Sequence, residues 1–363
     1  MAIRTVGIGT NSGYISIHET FTKSDLEQLL EHKNIGFDRI QTEEMLDKQS
    51  FLLLNEYFLK YPEIGFRWYN LIDNGDLSNL KYLTAVSILT IESGYKRQIT
   101  NLSVLSGLNN LRILTIHAEM LTDHSFLETI TPELAHLWLG TKSATFDLTA
   151  LKKFQKLRRL SLHKCKKNIE IITELPALYE LTLRGITLNS LKFINDIKSL
   201  RVLKVKLGST NCFSDLNGNM AIIALELFKI SKLANLDFLK DTHSVRVLKV
   251  RELMNVVSIP DLKGHVNLRH IELDNMKNLT DFSGLVNAPS LRSVSAVVCP
   301  PKLELDDIRP ILEVECLKQC CFYSSSARKN VEINNLILAY GKLNERYNGE
   351  VRELLYREWS SRF

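Results

Sequence analysis

The chain is 363 residues long, 45% hydrophobic and 24% charged, with a formal net charge of +5 and a pI near 8.7. These are ordinary values for a soluble protein, and no run approaches the ~18 apolar residues of a membrane span. Six cysteines lie scattered without a CxxC pair, which argues against zinc, and the basic excess is small for a dedicated nucleic-acid binder.

Residues 1–9 lack the roughly 7–15-residue apolar stretch of a signal peptide, so a reducing, cytoplasmic location is expected. Residues 1–62 are worded differently from the rest of the chain and are read as an N-terminal α/β cap. Apolar runs at 6–8 and 14–17 come first. Ser24 and Glu27 have capping-box spacing and open a predicted helix carrying Leu26, Leu29 and Leu30. Thr42 is placed to cap a second, carrying Met45, Leu46, Leu53, Leu54, Tyr57 and Phe58 and stopped near Pro62. Gly7-Ile-Gly9-Thr-Asn-Ser-Gly13 lacks the Lys-Ser/Thr of a phosphate loop, and its third glycine is one position late for a dinucleotide fingerprint. It reads as a turn.

From residue 63 one phrase, Leu-x-x-Leu-x-Leu, returns about every 22 to 23 residues. Its first apolar position falls at Val86, Leu111, Leu134, Leu157, Leu178, Leu200, Ile222, Val245, Leu268 and Leu291. Phe66-Arg67-Trp68 keeps the same phase if a coil starts at Glu63. A fixed period of this length marks a solenoid. The two apolar residues spaced by two share one face of a short strand. Downstream the apolar spacing becomes three, as in Leu102, Leu105, Leu108, Leu111 and in Ile169, Ile172, Leu175, Leu178, which suits 3-10 turns. One coil cannot bury its own leucines; stacked neighbours make the core.

Toward the end, Leu317-Lys-Gln-Cys320-Cys321-Phe322 is a predicted last strand. Its adjacent cysteines leave a vicinal disulfide or a metal open beside the plainer reading as thiols. Ile333, Leu336, Ile337, Tyr340, Leu343 and Tyr347 follow helical spacing, with Asn348-Gly349 as a break before Val351, Leu354, Leu355 and Trp359. Residues 324–363 are read as a helical lid. Glu mixed among its Lys and Arg weighs against a membrane anchor.

With ten coils in phase, residues 63–323 resemble the leucine-rich repeat family, nearest the short-repeat branch seen in bacterial internalins and in a eukaryotic phosphatase regulator. Leu279-Thr-Asp-Phe-Ser-Gly-Leu285, followed by Leu291-Arg-Ser-Val294, is similar to that branch's wording. The resemblance implies a curved α/β solenoid of about eleven to twelve coils. Parallel strands would line its concave face and mostly 3-10 segments its convex face, with caps at 1–62 and 324–363. The family also carries Asn or Cys three residues past the last Leu. Cys165 fits, whereas Glu119, Lys142, Gly208, Leu253 and Met276 depart. Partner binding is implied, and no partner is named.

In each coil the third, fifth and seventh residues face away from the core. They supply Trp138, Arg159, His163, Arg184, Lys204, Lys206, Phe228, Lys249 and Arg251 as candidate contacts for a protein partner. The basic centre suits an acidic one. Outward histidines at 117, 136, 163 and 270 fall in different columns or distant coils and form no metal-ligand pattern. No nucleophile or paired-carboxylate motif appears, and no cofactor is expected. Arg112, Arg158, Arg201, Arg246, Arg269 and Arg292 share the second coil position. A phosphate ladder is conceivable there, although coil spacing is not DNA phosphate spacing. The expected function is a non-catalytic cytoplasmic interaction protein: scaffold, inhibitor or regulatory subunit. Activity housed in a terminal cap, and nucleic-acid binding through the arginine column, are the alternatives.

Overall fold

The computed structural model describes residues 3–6, 13–31, 37–71, 75–94, 96–300 and 302–356; residues 7–12 of the glycine-rich stretch, and Trp359, lie outside them. The chain divides into two compact units, one reaching Leu178 and the other starting at Tyr179.

In the first unit β1 (Ile3–Val6) and β2 (Gly13–Ile17) are antiparallel. After α1 (Lys23–Glu31), every pairing from β2 through β3 (Phe37–Thr42) onward is parallel. Then come α2 (Lys48–Lys60), β4 (Gly65–Leu71), β5 (Ile88–Ser93), β6 (Ile113–His117), α3 (Phe126–Thr129), β7 (His136–Gly140) and β8 (Arg159–His163). The helix caps differ from the sequence expectation. Thr22 rather than Ser24 opens α1: the Asp25 carboxylate accepts from the Thr22 N–H at 2.8 Å and from its hydroxyl at 2.6 Å. Thr42 ends β3, and Asp47 caps α2 by accepting from the Ser50 N–H at 2.8 Å. The sequence reading missed β3, in which only Phe37 and Ile40 are large and apolar.

The strand phase holds. Leu89 and Ile91, Leu114 and Ile116, Leu137 and Leu139, and Leu160 and Leu162 all point inward and are fully buried. The period-three residues close the core from the other side along 3-10 segments such as Leu102–Gly107 and Ile169–Glu174. Sequence type also shapes the turns into these segments. Asn101 and Asn168 adopt left-handed φ of 60°. The Asn168 amide reaches back one coil to the Asp147 carboxylate, which also accepts from the Thr149 N–H and hydroxyl. These bonds favour the charged form and hold the Asp147 carboxyl well below the usual range. Asp76, Ser78 and Asn101 repeat the device.

The second unit is a parallel sheet of β9 (Glu180–Arg184), β10 (Val202–Lys206), β11 (Ala224–Phe228), β12 (Val247–Arg251), β13 (His270–Asp274), β14 (Ser293–Val297) and β15 (Gln319–Tyr323). α4 (Leu305–Leu312) replaces a 3-10 segment between β14 and β15. The residue after each strand from β9 to β14 turns with positive φ: Gly185, Leu207, Lys229, Glu252, Asn275 and Val298. Only Gly and Asn favour that region. The strain is offset because the ladder runs one residue further. The Leu207 N–H donates to the Phe228 carbonyl at 2.7 Å, and the Asn275 N–H to that of Val297 at 2.7 Å.

The first helix of the C-terminal segment stops earlier than expected. α5 (Ala327–Ala339) buries Ile333 and Ile337, then breaks at Gly341, whose φ is +68°. Leu343 is therefore not a helical core residue. It lies exposed while its backbone pairs with β15: its N–H donates to the Lys318 carbonyl and its carbonyl accepts from the Cys320 N–H. All six cysteines are free thiols, so Cys320 and Cys321 form no vicinal bond. Burial pushes the Cys320 thiol up to about 12. No helix among the described residues is long and apolar enough to cross a membrane.

Candidate functional site

Within the first unit the outward face centres on Trp138 in β7. Two residues on, Gly140 points the same way without a side chain. The indole occupies that space: a Cβ on residue 140 would stand 2.8 Å from Cη2 of Trp138 and 2.9 Å from Cδ2 of His117. His117, from β6, meets the indole edge to face with centroids 4.9 Å apart. His163, from β8, lies 6.3 Å from the indole and 5.7 Å from His117. All three are half-buried. The rings thus hold one another in place while keeping one side accessible, which lowers the entropy lost when a partner immobilises them. Arg159, expected to face solvent, is buried at 9% exposure beside its register neighbour His136.

The second unit handles the same face differently. Its outward side chains form three columns. The first is apolar at Val202, Ala224 and Val247 and polar at Glu180, His270, Ser293 and Gln319. α6 (Gly349–Val351) and the π turn Arg352–Tyr356 that continues it lie across this column. Val351 and Leu355 are buried on it, with Tyr347 and Leu354 packed around them. Tyr347 stacks flat on His270, centroids 4.0 Å apart and planes within 2°. We call residues 346–355 the strap.

Under the strap the middle column is a set of buried ion pairs. Lys204 donates to Glu180 at 2.6 Å and to the Leu355 carbonyl at 3.0 Å. Lys249, with 2% of its side chain exposed, pairs with Glu272 at 2.9 Å. The expectation that Lys204 and Lys249 reach solvent is therefore corrected: carboxylates one coil away neutralise them and the strap covers them. Arg346 bridges Glu272 at 2.9 Å and Asp274 at 3.0 Å. Burial opposes its charge, but these bonds outweigh burial and raise its pKa. Glu350 pairs with Arg246 at 3.0 Å. It also comes within 3.6 Å of His270. Burial first, then Arg269, Arg292 and Arg246, hold the His270 pKa down at about 4, so that contact is no ion pair at neutral pH.

The third column stays accessible. Arg184, Lys206, Phe228 and Arg251 are half-buried, and the Arg251 guanidinium lies over the Phe228 ring at 4.8 Å. Lys206 pairs with Glu226 at 2.8 Å; burial works against its charge and lowers its pKa. Two arginines of the second coil position turn back on their own coils, whereas Arg246 meets Glu350. Arg201 donates to the Lys198 carbonyl at 2.8 Å, and Arg112 to that of Leu111 at 3.0 Å.

No family model matches the chain. A protein of Trypanosoma equiperdum described as a "Putative adenylate cyclase regulatory protein" is 26% identical over 220 residues, or 58% of this chain; the chain spans 35% of that relative's length. Among solved structures, an internalin from Listeria monocytogenes superposes with a TM-score of 0.56 at 19% identity, covering 85% of this chain and 91% of the internalin. A chain in the Toll–Spatzle complex from Drosophila superposes at 0.50 and 16% identity, covering 95% of this chain and 55% of its own.

Proposed function

The chain has the leucine-rich repeat solenoid fold, and from that premise we propose that it is a non-catalytic binding module that takes a protein partner on its strand face. The observation that supports this most is the His117–Trp138–His163 cluster. It is a half-exposed aromatic anchor on stacked strands, held by its neighbours and by the missing side chain at Gly140. Rigid aromatic and arginine side chains of this kind carry most of the energy of protein interfaces. In the second unit the accessible column of Arg184, Lys206, Phe228 and Arg251 suits acidic side chains on the partner. A regulatory or inhibitory role in the cytoplasm accords with the same logic, since such a module acts by occupying its partner. The trypanosome relative's description as a regulatory protein is consistent with that role; its cyclase is not carried over.

Affinity capture of a partner, followed by titration, tests the reading. Trp138→Ala and Arg184→Glu should each weaken binding by tenfold or more, about 1.4 kcal/mol or above, while leaving the fold intact. Unchanged affinity in both variants would move the site off the strand face.

A further inference from the structure

We propose that the first outward column of the second unit is a receptor for an amphipathic helix, and that the strap is its resident occupant. The external ligand is then a helix of the partner protein with the strap's own pattern. This deepens the strand-face reading and rests on it.

The strap is written as a helix ligand. Tyr347, Val351, Leu354 and Leu355 are spaced i, i+4, i+7 and i+8, the anchor set by which a helix lies in a groove. Its charges are placed with equal specificity. Arg346 reaches back to Glu272 and Asp274, and Glu350 reaches Arg246. The floor is matched to it: the outward column is apolar at Val202, Ala224 and Val247, beneath Val351 and Leu355. A solvated strand face has no reason to place three aliphatic residues at successive outward positions.

The strap is attached through side chains. Backbone contact from the strap to the sheet is through the Leu355 carbonyl and Lys204, a side-chain bond rather than a ladder. The last turn is a π turn, a rare form that is frequent at functional sites. The segment reaches the face from β15 through the exposed residues 343–345. Such a tethered ligand holds its site by effective concentration, so an external helix of similar pattern competes when its own affinity exceeds that advantage. The strap then keeps apolar surface covered until the correct partner arrives, and it screens out proteins that present only acidic charge.

The test uses the full chain and a fluorescein-labelled synthetic peptide with the sequence of residues 343–356. Val351→Asp puts a carboxylate on the apolar floor and should free the strap. That variant should bind the peptide at least ~10-fold more tightly than the parent, and adding Ala224→Asp should abolish the gain. Equal weak binding by parent and a folded Val351→Asp chain overturns the proposal. Hydrogen exchange on the parent decides the matter if the variant does not fold. Amides of 346–355 exchanging faster than those of β10–β12 support a detachable strap; exchange only through global unfolding makes it part of the core and overturns it. If the proposal falls while Trp138→Ala still weakens a captured partner, the strand-face reading stands without it.

Discussion

Two strand faces in one chain are built from the same coil phase and finished in opposite ways. In the first unit the outward positions of β6, β7 and β8 hold three aromatic rings that touch one another and remain half-exposed. In the second unit the first two outward columns hold aliphatic residues and Lys–Glu pairs, buried beneath residues 346–355, and only the third, with Arg184, Lys206, Phe228 and Arg251, stays half-exposed. The difference shows that inward residues specify the solenoid and leave the outward columns free to take any chemistry. One face is preorganised by ring packing at a vacant glycine. The other is preorganised by a ligand that the chain supplies to itself.

The inward columns should not tell the two units apart, and there the largest effects lie. Leu160→Ala in the first unit and Leu203→Ala in the second each empty a fully buried site and should cost about 2–5 kcal/mol in chemical denaturation. Damage should spread to adjacent coils, because solenoid stability is nearest-neighbour. A cost under ~1 kcal/mol at either position would break the shared phase on which the comparison stands.

Charge should separate the units next. Lys249→Ala strips buried Glu272 of one of the cations that neutralise it, leaving Arg346 at the strap's edge, and should cost about 3 kcal/mol or more. Lys142→Ala in the first unit removes a surface partner of Glu119 and should leave the denaturation midpoint where it was. Equal effects would mean that the strap does not dry the middle column.

The same division explains how much of the molecule was legible in its sequence. The period shows the coil starts, the inward leucines and most of the 3-10 segments because the phrase recurs in coil after coil and is satisfied locally. The early cap at Thr22 and the stop at Gly341 were obscured by single-residue competition between nearby candidates, Ser24 in one case and Asn348-Gly349 in the other. Burial of Lys204 and Lys249 depends on contacts that arise only when the chain returns on itself; Arg346 lies 74 residues from Glu272. One signal could have found it. Val202, Ala224 and Val247 are aliphatic where a solvated column should be polar, and Val351, Leu354 and Leu355 form an apolar stripe with no other floor among the described residues. The Trp138 cluster was legible in part: the sequence supplied Trp138 and His163, but not the space left by Gly140 that lets His117 join them.

Acid should act on the second face through His270. Its ring is faced by Tyr347 and Glu350 of the strap, by Ser293, by Glu272 on its own strand, and by Arg246, Arg269 and Arg292. Its folded pKa of about 4 lies below the ordinary 6.5. Above pH 6.5 both folded and unfolded chains leave it neutral and stability is complete. As pH falls from 6.5 toward about 4, the unfolded chain takes up a proton that the folded chain refuses, so stability declines. His270→Asn should flatten that part of the profile in urea titrations at stepped pH. A slope identical to the parent's would show that carboxylates alone set the acid limb.

The smallest effect concerns the first face. Gly140→Ala adds one methyl group to a residue whose φ is unstrained, so folding should change by under ~1 kcal/mol. The methyl group would nevertheless meet Trp138 and His117 at 2.8 and 2.9 Å, far inside contact distance, and the ends of those side chains must swing away. Side-chain NMR should therefore show shifted Trp138 indole and His117 ring signals, with the strand amides of β6 and β8 unmoved. Partner affinity should fall by several-fold, less than with Trp138→Ala, because the indole is displaced rather than lost. An alanine that moves the rings without moving affinity would show that their mutual geometry is incidental. The anchor would then be the indole area alone, and the first face would owe nothing to preorganisation.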